Sequence, residues 1–252
     1  MIGSLRSKIT PINCIYAALI AIETAIFIAF NIIVAVKPND PVYLKYAGVL
    51  LCFVTAAVFI YFYKKDAVVL TCALAFTAVS DYFILVIDAY YEIGVTTFFI
   101  AQSIYLYRLY ADRLDSIYIT LIVRAALSAV VMVILAVCAS LNYLLVIVTL
   151  YFVMLCANCV DAFIICRGGL KNIIFAIGLL LFVCCDICVG LHNFGSALGV
   201  SLPHKLLTFV QYAIWVFYLP SQVAITCSVS GGGLAVKGKM CDDIQGGENE
   251  GG

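Results

Sequence analysis

The chain predicts an all-α fold: a polytopic membrane bundle of eight transmembrane helices with both termini in the cytoplasm. Three observations predict it. Of 252 residues, 65% are hydrophobic and 11% charged, with mean hydropathy +1.15, a composition outside the range of soluble domains. Apolar runs of about 20 residues, the length that crosses a bilayer, recur along nearly the whole chain. Basic residues gather on alternate connections. Because hydrocarbon cannot satisfy free backbone groups, such spans must be helices; barrel strands would be shorter and alternating.

The spans read as residues 14–36, 43–63, 68–88, 92–110, 118–139, 143–166, 170–192 and 205–228. The first resembles a signal sequence in its basic start (MIGSLRSKIT), but its apolar run is too long for a signal core and no cleavage site follows. It reads as an uncleaved helix. Arg6 and Lys8 precede helix 1, Lys64 and Lys65 join helices 2 and 3, and Arg108 and Arg113 join helices 4 and 5. Arg167 and Lys171 join helices 6 and 7, and Lys237 and Lys239 follow helix 8. The opposite side carries only Lys37, Lys45 and Lys205, with acidic Asp40, Asp88 and Glu92. The positive-inside bias therefore places both termini in the cytoplasm, which requires an even number of helices.

Two domains follow: an eight-helix membrane domain over residues 1–229, and a tail over 230–252. The tail holds eight of the seventeen glycines plus Asp242, Asp243, Glu248 and Glu250, a composition expected to be disordered. Zero net charge excludes a nucleic-acid partner. The twelve cysteines lie mostly within apolar spans. Cys156 with Cys159 and Cys185 with Cys188 have metal-site spacing, but on apolar helices they read as small buried residues. Helices 3 and 7 echo each other: each runs outward, carries one aspartate in its outer half and ends near a glycine, Gly94 or Gly195. That is consistent with a four-plus-four duplication, or with generic apolar composition.

Asp81 and Asp186 are the costly residues. A carboxylate at mid-helix costs roughly 2.5–3.5 kcal/mol to insert, and an intramembrane ionisable residue points to a functional site. Helical spacing puts Thr77, Asp81 and Asp88 on one face of helix 3, and Gly178, Phe182, Asp186 and Asn193 on one stripe of helix 7. Helix 4 presents Gln102 and Tyr105; helix 6 presents Tyr151, Met154, Asn158 and Asp161; helix 1 adds Glu23. Interhelical hydrogen bonding accounts for Gln102, Asn158 and the tyrosines as readily as ligand binding does. Asp161 reads as a snorkelling ion pair with Arg167, and Arg124 as an inner-interface residue. Asp81 and Asp186 have no lysine or arginine at their depth on their own helices. Facing each other, they cannot both ionise comfortably, which leaves one acid and one carboxylate. Acid/base chemistry uses that pair, and so does a proton-coupled transporter.

The order of these residues resembles the YhhN-like integral membrane proteins, the lysoplasmalogenase family. Ser80-Asp81 matches a helix ending in Gly/Ser-Asp, and YEIGVTTFFIAQSIYLY, with Gly94 and Tyr105, matches the helix after it. Tyr151 and Met154 match a tyrosine–methionine helix. GLLLFVCCDICVGLHNF, with Gly178, Phe182 and Asp186, matches a Gly-x-x-x-Phe-x-x-Ser-Asp type of helix. FYLPSQVAI, with Tyr218 and Gln222, matches the last segment, and Lys45 sits where the family carries a lysine. The likeness runs from about residue 43 to 228. Gln102 stands where histidine is usual, Cys184-Cys185 replaces a small polar residue, and Pro220 interrupts the last motif.

The resemblance implies a hydrolase that cleaves the vinyl ether of lysoplasmalogens to a fatty aldehyde and a glycerophospho-alcohol. Asp81 and Asp186 would be catalytic, and Lys45, Gln102, Tyr105, Tyr151 and Gln222 would bind substrate. The expected partners are a lysophospholipid and membrane lipids; a homodimer is left open. No metal or organic cofactor is required. A proton-coupled transporter using the same aspartates, or a family member without turnover, are the alternatives.

Overall fold

The computed structural model describes residues 11–36, 41–111, 114–138, 142–165, 169–197 and 203–229. Arg6, Lys8, Lys37, Asp40, Arg113, Arg167, Lys237, Lys239 and the tail at 230–252 lie outside them. The described residues form eight helices: α1 (Pro11–Val36), α2 (Val42–Tyr63), α3 (Lys65–Asp81), α4 (Tyr91–Tyr110), α5 (Leu114–Cys138), α6 (Tyr143–Ile165), α7 (Leu170–Ala197) and α8 (His204–Cys227). Seven are long and apolar enough to span a bilayer. The exception is α4, whose sequence includes four tyrosines with Glu92, Gln102 and Arg108. It offsets that polarity by burying Gln102, Tyr105 and Arg108 between its neighbours. Outward-facing Ile28, Ile122, Val133 and Phe209 are exposed, an apolar surface suited to lipid and not to water. The chain is a multi-pass integral membrane protein.

Six helices close a ring: α2 packs on α3, α3 on α4, α4 on α6, α6 on α7, α7 on α8, and α8 on α2. Outside it, α1 lies against α2 and α8, and α5 lies against α6 and α4. Shifting every helix by four reproduces this pattern. The adjacencies α1–α2, α2–α3, α3–α4, α1–α8 and α2–α8 recur as α5–α6, α6–α7, α7–α8, α5–α4 and α6–α4. The four-plus-four echo is thus present in the packing. It is broken locally: α7 continues as a regular helix through Gly195, whereas α3 changes geometry immediately after Asp81.

Close approach sets the tightest seam. A Cβ on Gly178 of α7 would stand 2.8 Å from Ile225 Cγ1, 3.0 Å from the Ile225 backbone nitrogen and 3.2 Å from the Ser221 carbonyl oxygen of α8. Backbone atoms cannot step aside, so the residue must be glycine for α7 and α8 to meet there.

At one end of the bundle a buried ion pair ties three helices. Arg108 on α4 donates from Nε and Nη2 to the two carboxylate oxygens of Asp66 on α3, at 2.7 and 2.8 Å. Its Nη1 and Nη2 also reach the hydroxyl and carbonyl of Ser228 at the end of α8, at 2.8 and 3.2 Å. Arg108 therefore belongs to the last turn of α4 and is buried, not a residue of the α4–α5 connection as its sequence position predicts. Lys171, at the start of α7, donates to the Cys227 carbonyl at 2.6 Å. Between α5 and α6, Arg124 is buried and donates to Asp161 at 2.6 Å and to Asn158 at 3.0 Å. Asp161 thus pairs across helices with Arg124, and the expected partner Arg167 lies outside the described residues.

Candidate functional site

The site is built where α3 ends. After Asp81 the helix widens into a π-helical segment, Tyr82–Ile87, which ends at Asp88 in a left-handed conformation, φ 53°. The extra residue per turn rotates Asp88 off the Asp81 face on which regular helical spacing would place it. Asp88 is exposed and accepts a hydrogen bond from Tyr91 at 2.5 Å. On the other side of the seam, Ser80 donates to the Gly94 carbonyl at 2.5 Å, and a Cβ on Gly94 would meet Ile84 Cγ1 at 2.6 Å. The Ser80 hydroxyl and the bare Gly94 therefore hold the end of α3 against the first turn of α4. π segments of this kind are frequent at functional sites.

Each aspartate is held by a tyrosine from another helix. Tyr218 on α8 donates its hydroxyl to Asp81, and Tyr151 on α6 donates to Asp186 on α7. Asp81 is 4% exposed; Asp186 is half-buried. Aromatic rings connect the two pairs. Tyr151 stacks on Phe98 at 5.5 Å between centroids, Phe98 meets Phe182 edge-on at 5.7 Å, and Phe182 meets Tyr218 at 5.5 Å. The carboxylates lie close enough for their charges to interact, as do the two tyrosine hydroxyls. Five helices, α3, α4, α6, α7 and α8, thus converge on one cluster, with Cys185 buried within electrostatic reach of both acids.

A cation borders it. Lys45 on α2 is 3% exposed, and its Nζ lies 4.0 Å from the Trp215 ring centroid and 5.2 Å from that of Phe30. Trp215 in turn packs edge-on against Tyr218 at 5.8 Å. The aromatic faces and the ammonium attract each other through the ring quadrupole. This buried lysine is connected to Asp81 through Trp215 and Tyr218 and supplies a compact positive charge at the border of the cluster.

Of the seven residues singled out from the sequence, Asp81, Asp186 and Tyr151 meet in the cluster, with Lys45 beside it. Gln102 is fully buried one turn from Phe98 along α4, where its side-chain and backbone oxygens both accept from Asn158, at 3.0 and 2.8 Å. Tyr105 and Gln222 are also fully buried, further along α4 and α8 than Phe98 and Tyr218. Sequence reasoning left Tyr218, Phe98 and Trp215 out of the site. The available signal was spacing: Tyr218 precedes Gln222 by one helical turn, and Phe98 precedes Gln102 likewise.

The arrangement sets two tyrosine-bonded acids within electrostatic reach of each other among aromatic rings, with a cation at its border. No curated protein and no solved structure matches the chain. The model of the YhhN family matches residues 41–229, from the start of α2 to the end of α8, which includes every residue of the cluster except Phe30. With a match over most of its length, the chain belongs to the YhhN family.

Proposed function

We propose that the protein is a membrane hydrolase of lysoplasmalogen type. It cleaves the vinyl ether of a lysophospholipid to a fatty aldehyde and a glycerophospho-alcohol. The observation that carries the reading is the pair of tyrosine-bonded carboxyl groups, within electrostatic reach of each other and enclosed by Phe98 and Phe182.

The chemistry starts with proton transfer from one aspartic acid to the vinyl carbon two bonds from the ether oxygen, giving an oxocarbenium ion. The second carboxylate stabilises that cation and takes a proton from water as it adds, as paired carboxylates do around glycosidic oxocarbenium ions. The hemiacetal then breaks its C–O bond, releasing aldehyde and alcohol. Tyr151 and Tyr218 orient the carboxyl groups, and Lys45 receives the substrate phosphate. Gln102, Tyr105 and Gln222 act behind the reacting atoms. No step calls for a metal or organic cofactor. Lysophospholipid and the surrounding membrane lipids are the partners, and a second copy of the chain is not needed for the site.

Purified protein incubated with a lysoplasmalogen and a matched ester lysolipid should release fatty aldehyde from the first alone. No aldehyde from either overturns the reading.

One observation favours a second reading. A transporter that used the aspartates as a proton relay would need a helix interrupted at the site, and α3 is interrupted by its π segment directly after Asp81. Uptake into proteoliposomes driven by a pH gradient, lost in Asp81→Asn, would support it over hydrolysis.

A further inference from the structure

Buried polar atoms without a protein partner are not scattered through this molecule. Among the described residues there are seven on side chains, and five of them are Glu23 Oε2, Gln102 Nε2, Tyr105 Oη, Gln222 Oε1 and Thr226 Oγ1. Their residues are between 0% and 5% exposed. All lie towards the Arg108 end of the bundle from the Asp81–Tyr218 pair.

Four of them also lie together. Tyr105 borders Thr77 of α3 and is within electrostatic reach of Cys52 of α2. The Thr77 hydroxyl donates to the Ala73 carbonyl of its own helix at 3.2 Å, and among the described residues no group meets the Tyr105 hydroxyl in hydrogen-bond geometry. Cys52 in turn borders Thr226 of α8 and donates to Glu23 Oε1 of α1 at 3.6 Å. The bare Gly48 makes room for the Glu23 carboxyl: a Cβ there would stand 3.0 Å from Oε2. Side chains of α1, α2, α3, α4 and α8 therefore meet in one buried polar cluster. Two further rungs climb from it to the aspartates. Gln222 lies one turn from Thr226 and one turn from Tyr218, and Thr77 lies one turn from Asp81. Each step is about 6 Å along a helix, a gap that one water bridges with two hydrogen bonds.

Such groups are the recognised hosts of internal water, which makes about three bonds to otherwise unsatisfied buried polar atoms. Hydrolysis consumes one water per turnover. We propose that Glu23, Tyr105, Thr226 and Gln222 hold a file of bound water inside the bundle that feeds the Asp81–Asp186 centre. Glu23 is the file's far end and a residue of α1, outside the stretch matched by the family. The file itself stands on the packing alone; its role as the supply of hydrolytic water rests on the reaction proposed above.

Brief X-ray radiolysis of the purified protein generates hydroxyl radicals from water in place, and mass spectrometry then locates oxidised side chains. Tyr105 should be labelled although it is fully buried, while its neighbour Phe175, buried against it at 5.6 Å, should not. The double variant Gln222→Leu, Thr226→Val should lose the Tyr105 label and lower kcat for aldehyde release about tenfold with KM unchanged. Thr226→Ser, which keeps the hydroxyl, should retain both, and elution as a single species checks that each variant folds. An unlabelled Tyr105 in the native protein, or a label that survives the double variant, overturns the file. Loss of the label with kcat unchanged overturns its role as supply. Full aldehyde release by Asp81→Asn would instead remove the catalytic assignment, and the labelling result would stand without it.

Discussion

Asp81 and Asp186 differ in one respect that their sequence contexts do not reveal: each depends on a different partner helix. Replacing either by asparagine keeps the shape and removes the acid, so aldehyde release should fall by about 10²–10⁴ in kcat, the usual contribution of a positioned acid or base. Measured turnover of the purified variants checks this, and full activity in either variant would sink the assignment. Tyr151→Phe and Tyr218→Phe each remove one hydrogen bond to a charged group, about 1.5–3 kcal/mol, so kcat should fall about 10–100-fold. Lys45→Met keeps the stem against Trp215 and removes the charge. KM for the phosphate-bearing substrate should rise about tenfold, while kcat changes little. A substrate analogue without phosphate should be insensitive to it. The two acids were visible in the sequence because charge inside an apolar run is conspicuous, and Lys45 was marked by its place in the family pattern. Tyr218 was marked only as a motif match: a tyrosine in a membrane helix carries no sign of what its hydroxyl meets.

Helix ends and seams decide how those side chains are presented. Residues 68–88 read as one apolar run, yet the run divides into an α-helix and a π segment at Asp81. Hydropathy is blind to that change, because the extra residue alters which face each side chain occupies and not how apolar it is. The seam between α7 and α8 makes its own prediction. Gly178→Val would push into the backbone of Ile225 and Ser221, an overpacking cost of about 1–3 kcal/mol, read as a lower midpoint in thermal unfolding followed by size-exclusion chromatography. Arg108 belongs to this scale too, since it fastens α4 to α3 and α8. Arg108→Gln removes the guanidinium that makes two parallel bonds to buried Asp66 and should destabilise by about 3–5 kcal/mol. Arg108→Lys should recover only part of that loss, because an ammonium cannot reproduce the two parallel bonds to Asp66. Sequence position assigned Arg108 to a connection, since a basic residue near a predicted helix end is usually a topology signal.

For the whole molecule, apolar composition and run length determined the class, the number of helices and their approximate limits. Those follow from an average property, the transfer of side chains and backbone into hydrocarbon, which each segment satisfies by itself. The sequence also exposed the two aspartates, because the same transfer penalises them. Which helices adjoin was decided only by the tertiary structure, since lipid-facing and helix-facing apolar residues look alike. The ring of six helices, with α1 and α5 outside it, sets α7 beside α6 and lets Tyr218 of α8 reach Asp81 of α3 across its interior, and so gives each acid its tyrosine. It also gathers Glu23, Tyr105, Gln222 and Thr226, which are separated by up to two hundred residues of chain, into one buried interior. Their meeting depends on packing between distant segments, a property that no single apolar run contains.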